Sequence, residues 1–261
     1  MNRIILIFLL LLTTSLNANF FVQDEWTKVF NVSSGTSHRG TINIVNDSSD
    51  IVVVRVTQSD FIISDEDEDI YPEPGSYQRS NANWITVQSH ITLQAQQDYL
   101  LPFTIDVPRN PGLSGSYWSI IFIEEVSALS ETNPDIFQIN LKYAIQVITT
   151  IISTESIDLS VESISYISST RSDVPSGESI SLRLKNTGNS WVEANIKVDV
   201  YNDNAVFIGS FSLDKNRIYP GFSRQIYVPL RLRLHMNYHA IIVIDAGDGH
   251  IFGRQLSFYN E

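Results

Sequence analysis

The chain has 261 residues, a formal charge of −12 and no cysteine. The acidic balance argues against nucleic acid or an anionic membrane surface as partner, since both call for a basic face. The lack of cysteine excludes disulfide staples, thiolate nucleophiles, cysteine-ligated zinc and a lipid-modified N-terminal cysteine, so each domain must stand on its own core.

Residues 1–18 read as a cleaved export signal. Arg3 supplies the positive start, residues 4–12 (IILIFLLLL) the apolar core and residues 13–18 (TTSLNA) the small-residue exit. The apolar run is shorter than the roughly 20 residues a spanning helix needs, and no later stretch reaches that length.

The mature part is predicted to be all β. Residues 26–32 (WTKVFNV) form a first strand, and 35–40 a loop. Runs 41–45 and 51–56 are joined by the turn residues NDSS. An acidic loop, 65–69 (DEDED), is closed by Pro72, Pro74 and Gly75. Residues 84–93 (WITVQSHITL) alternate as one strand; 100–107 and the apolar 116–124 (SYWSIIFIE) follow. Residues 137–147 (FQINLKYAIQV) then alternate for about five repeats, with Phe137, Ile139, Leu141, Tyr143, Ile145 and Val147 on one face. Beyond 149–155, which lacks the composition of a flexible tether, come runs 159–167, 179–184, 193–201, 205–213, 224–234, 238–245 and 251–259. No stretch has helical periodicity. Short strands at regular spacing predict two tandem immunoglobulin-like β-sandwiches, 19–152 and 153–261, after the signal at 1–18.

No constellation carries chemistry in this reading, and neither a catalytic residue nor a cofactor is expected. Asp65, Asp67 and Asp69 have the alternate spacing of a calcium loop, but Ile70 replaces its glycine and Ser76 its bidentate glutamate. The run therefore reads as a solvated loop. His235 and His239 would pair on a helix, not on strands, and no metal site is expected. Gly112-Leu113-Ser114-Gly115 is not a nucleophile elbow. Arg231, Arg233 and His235 alternate with leucines as the basic outer face of a strand, read as a solvated sheet face, with contact to an acidic partner or cell-wall polymer as the alternative. Trp84, Phe103, Tyr117 and Trp118 are expected in the first core.

Two stretches resemble the periplasmic pilus-assembly chaperones of the PapD type. Thr27-Lys28-Val29-Phe30 stands where that family has a Thr-Arg-hydrophobic-hydrophobic strand. Phe137-Gln138-Ile139-Asn140-Leu141 and Ile145-Gln146-Val147 are similar to the last strand of its first domain. The resemblance implies a non-enzymatic periplasmic protein that captures a pilin-like or surface subunit by strand addition. It implies partner contacts at Lys28, Phe137, Ile139, Leu141, Tyr143, Ile145, Gln146 and Val147. In that family a basic pair, one residue from each strand, anchors the client's C-terminal carboxylate. Lys28 takes one place; Gln146 takes the other without a charge. A second resemblance, carried by Ile105-Asp106-Val107-Pro108, Pro111-Gly112, Gly115-Ser116-Tyr117-Trp118 and Lys185-Asn186-Thr187-Gly188-Asn189, is to two-domain proteins that interact with WxL surface proteins. It implies instead a cell-envelope structural or adhesion protein that binds cell-wall polymer or a surface protein.

Overall fold

The computed structural model describes residues 20–63, 69–126, 141–169, 177–233 and 235–260. The expected signal, residues 65–68 of the acidic loop, Leu234, and Phe137 and Ile139 of the alternating run lie outside these.

The first sandwich has nine described strands: β1 (Phe21–Val22), β2 (Thr27–Val32), β3 (Ser37–Asn46), β4 (Val52–Ser59), β5 (Ile85–Val87), β6 (His90–Leu93), β7 (Gln97–Asp106), β8 (Gly115–Glu125) and β9 (Lys142–Ile151). One sheet runs β1-β3-β7-β5, the other β2-β9-β8-β4-β6. Alternation decides the faces. In β4, Val52, Val54 and Val56 point into the core while Val53, Arg55 and Thr57 point out. Ile42, Ile44, Leu101, Phe103, Ile121 and Ile145 fill the space between the sheets.

Two sequence expectations are corrected here. Residues 37–40, read as loop, are the start of β3. Gly40 is there because the Phe103 ring lies over it, where an added Cβ would meet a ring carbon at 2.2 Å. The glycine serves close packing rather than a turn. Residues 84–93 are two strands: after a single 3-10 turn at Ala82–Trp84, β5 pairs with β7 in one sheet and β6 with β4 in the other. Alternation persists across the switch because it reports which face is buried, not which strand lies alongside.

The second sandwich comprises β10 (Leu159–Ser169), β11 (Gly177–Asn186), β12 (Val192–Asn202), β13 (Phe207–Ile218), β14 (Ser223–Pro229), β15 (Met236–Asp245) and β16 (Ile251–Asn260). Its sheets are β10-β11-β14 and β13-β12-β15-β16, packed over Ile180, Leu182, Val198, Val200, Val228 and Ile242. Strand β14 ends at Pro229, so the expected strand through 234, with its basic face, is not formed. Residues 230–233 leave the sheet.

The two sandwiches meet in an aromatic seam. Trp118, expected in the first core, turns away from it and packs with Ile148 and Tyr219, flanked by Phe61, Tyr77, Trp191 and Phe222. The Trp118 and Tyr219 ring centroids are 4.8 Å apart, and the indole N–H donates to the Phe61 carbonyl at 2.7 Å. This explains why β8 reads as a nearly unbroken apolar run: one face lines the core, and Trp118 on the other fills the seam. The joint is pinned by Asn189. Its carbonyl accepts the Ser116 N–H at 2.9 Å, and its side chain accepts the Ser156 N–H at 2.7 Å while donating to the Thr154 carbonyl at 2.9 Å.

Candidate functional site

Strand β9 has two parts. From Gln146 to Ile151 it is flanked on both sides, by β8 antiparallel and by β2 parallel, with Thr27 opposite Gln146. From Lys142 to Ile145 only β8 lies alongside, and no described strand occupies the other edge. The chain that could have paired there turns off at Trp26, whose carbonyl accepts the Gln146 N–H at 2.9 Å and whose indole stacks on Tyr143 with centroids 5.9 Å apart. An unpaired strand edge presents N–H and C=O groups to any chain that can lie beside it.

The residues expected to face a partner fall into distinct places. Leu141 is 41% exposed, Tyr143 is half-buried against Phe20, and Ile145 and Val147 are buried in the first core. Lys28 is not a free cation. Its ammonium meets Asp24 at 2.5 Å. Burial alone would raise the Asp24 carboxyl, but the Lys28 ammonium and the N–H groups of Asn43 and Glu25 hold it below its ordinary value.

Gln146 opens onto a cleft of about 380 Å³ between the sandwiches. Neither family-like position supplies a free charge there; the second domain does. Arg217 and Arg224, from β13 and β14, line the cleft with Gln146, Tyr219 and Asp69. Arg217 donates to the Thr27 hydroxyl at 2.5 Å and meets Glu193 at 3.2 Å, so part of its charge is used. Arg224 donates to the Arg217 carbonyl at 2.9 Å and has no carboxylate in ion-pair range among the described residues. Between them Tyr219 is 2% exposed and its hydroxyl has no hydrogen-bond partner among the described residues. The Gln146 side chain lies beside that hydroxyl. Burial pushes the phenol far above its ordinary value, partly opposed by Arg217, so the group stays a proton donor. A buried donor with no acceptor among the described residues, beside a guanidinium with no carboxylate among them, suits an anionic oxygen. The sequence showed no sign of this site, because its cations lie in one domain and its strand in the other.

Elsewhere the structure brings together groups that the sequence left apart. The Ser257 hydroxyl lies 2.8 Å from Nδ1 of His239, whose Nε2 is 3.3 Å from Asp203. The imidazole and the carboxylate are 53% and 56% exposed on an open sheet face. Such a face supplies no desolvated, preorganised setting for a developing oxyanion, so the row is a surface polar network. No group of three metal-ligating side chains occurs among the described residues, and no helix there is long and apolar enough to cross a membrane.

No family model and no curated protein matches the chain. Solved structures do. A chain of the chaperone–tip adhesin complex of CFA/I fimbriae is 15% identical, covers 93% of this chain and 99% of its own, and superposes with a TM-score of 0.51. The fold is PapD-like. The class 5 fimbriae chaperone CfaA is 14% identical over 93% of this chain and 99% of its own, with a TM-score of 0.48. A chain of the CsuC–CsuE pre-assembly complex of Acinetobacter baumannii is 10% identical over 94% and 100%, with a TM-score of 0.47. At these identities the likeness is one of fold, and it lends nothing to cell-wall polymer binding.

Proposed function

We propose that the chain is a periplasmic, non-enzymatic assembly chaperone that captures a subunit by strand addition along Lys142–Ile145 and holds the subunit's terminal carboxylate in the cleft. The observation that carries this reading is continuity. The edge of β9 that no described strand covers ends at Gln146, where the strand meets a cleft holding Arg224, without a carboxylate partner among the described residues, and the buried Tyr219 phenol. Main-chain hydrogen bonds along the edge would supply affinity, and the carboxylate would set the register. In this reading Arg217 and Arg224 of the second domain supply the positive charge that Gln146 lacks.

A synthetic peptide of alternating apolar residues, made as free acid and as amide, tests the reading on the full chain. Binding is expected to slow hydrogen exchange at 142–145. A hydrogen bond to a charged group is worth about 1.5–3 kcal/mol, so the acid should bind at least about tenfold more tightly than the amide. Arg224→Gln should erase that difference, and Leu141→Asp should weaken both forms. Unchanged exchange at 142–145 with peptide bound would refute strand addition. Equal affinity for acid and amide would refute the anchor alone.

A further inference from the structure

The second sandwich has another opening, at the pole remote from the seam. Strands β12 and β14 run away from the seam and end there, and β13 starts there. After Pro229 the chain crosses this pole as residues 230–233, held without a strand partner. The Leu230 N–H donates to the Glu178 carbonyl at 2.8 Å and the Leu232 N–H to the Glu178 carboxylate at 3.0 Å. The Arg233 N–H donates to the Tyr238 hydroxyl at 3.2 Å, and that hydroxyl donates to the Arg233 carbonyl at 3.0 Å. Leu230 is buried and Leu232 half-buried, while Arg231 and Arg233 are exposed, so both guanidiniums leave from the outer side of a fixed backbone. Neither has a carboxylate or side-chain hydrogen-bond partner among the described residues. Glu178 lines the same opening, but its carboxylate is taken up by Leu232 and Asn260. The other wall is apolar: Phe207 and Ile208 of the edge strand β13 are 54% and 42% exposed, and Met236 lies with them. The groove holds about 880 Å³.

We propose that this groove docks an acidic segment of a partner protein, with carboxylates at alternate positions on Arg231 and Arg233 and an apolar side chain against Phe207 and Ile208. Charge selects the occupant. In a chain of formal charge −12, two neighbouring cations without an ion-pair partner among the described residues outweigh the single Glu178 charge in the groove, and an anionic segment relieves their mutual repulsion. Alternate residues of an extended segment are about 6.6 Å apart on one side, the spacing of side chains from two alternate arginines. An exposed aromatic beside arginines is the composition of an interface centre rather than of ordinary surface. The groove and the cleft lie at opposite ends of the second domain, so a partner can be held here while a subunit occupies β9.

The test uses the full chain and a fluorescein-labelled, C-terminally amidated peptide, Phe-Glu-Val-Glu-Gly, against its lysine counterpart; amidation keeps the probe from using the cleft as a terminal carboxylate. The acidic peptide is expected to bind at least about tenfold more tightly than the lysine one, and to weaken as salt rises from about 0.05 to 0.3 M. The double substitution Arg231→Glu/Arg233→Glu should cost at least about tenfold with unfolding temperature unchanged, because both side chains are exposed, and Phe207→Ser a smaller factor. Arg224→Gln should leave binding intact. Equal affinity for the two peptides, full binding by the double variant, equal loss in Arg224→Gln, or no binding at about 1 mM would each overturn the proposal. So would a dimer in sedimentation that the double substitution dissociates, because a second copy would then fill the groove.

Discussion

Removing one oxygen atom, in Tyr219→Phe, should stabilise the free protein and cripple the cleft. The hydroxyl is buried and has no hydrogen-bond partner among the described residues. Leaving such a group unsatisfied costs about 1–3 kcal/mol. Phenylalanine keeps the ring on Trp118, 4.8 Å away, and edge-on to Phe61 at 6.3 Å, so packing is preserved. A gain of about 1 kcal/mol corresponds to a rise of about 2–4 °C in unfolding temperature for a chain of this size. Bound carboxylate would lose one donor, which is worth about tenfold or more in affinity. The assay is thermal unfolding at pH 7 without ligand, paired with titration of the free-acid peptide. A variant less stable than the parent would mean that the hydroxyl already has a partner. A variant that binds the acid as tightly as the parent would mean that the phenol does not face the ligand.

Three further outcomes follow from the same geometry. Trp118→Ala should cost about 3–5 kcal/mol, as for other buried large-to-small changes; a loss below about 1 kcal/mol in denaturant unfolding would show that the seam does not couple the domains. Gly115→Ala should destabilise by more than about 1 kcal/mol, because the residue sits at φ +68° and an added Cβ would lie 2.0 Å from the Asn189 carbonyl oxygen; an unchanged denaturation midpoint would contradict that contact. The Asp24 carboxyl is held below its ordinary value of 3.8. Its contribution is therefore full above that pH and fades as pH falls through the folded-state value, so Asp24→Asn should be less stable than the parent at pH 7 and equal to it near pH ~2. A stability gap that does not change with pH would remove Asp24 as its source.

Strand content and the two-sandwich architecture were legible because alternation is a local property. Each residue's polarity reports which face of its own strand is buried, and β4 or β12 can be read that way without knowing the neighbours. The same locality accounts for the misreadings. Residues 84–93 keep their alternation while changing sheets, and Gly40 looks like a loop residue until the Phe103 ring is seen over it. Leu230 to Arg233 alternate as a strand would, but β14 stops at Pro229, which lacks the N–H to extend a ladder.

By itself, the sequence determined an all-β chain, a long alternating run ending in Ile145-Gln146-Val147, and the missing charge at Gln146. Only the tertiary structure decided what surrounds that glutamine. It ties Lys28 to Asp24, and it brings Arg217 to the Thr27 hydroxyl across 190 positions of sequence. That contact depends on how two separately folded sandwiches dock through Trp118 and Tyr219. Docking is a matter of shape and aromatic packing between surfaces, and no periodicity within either domain encodes it.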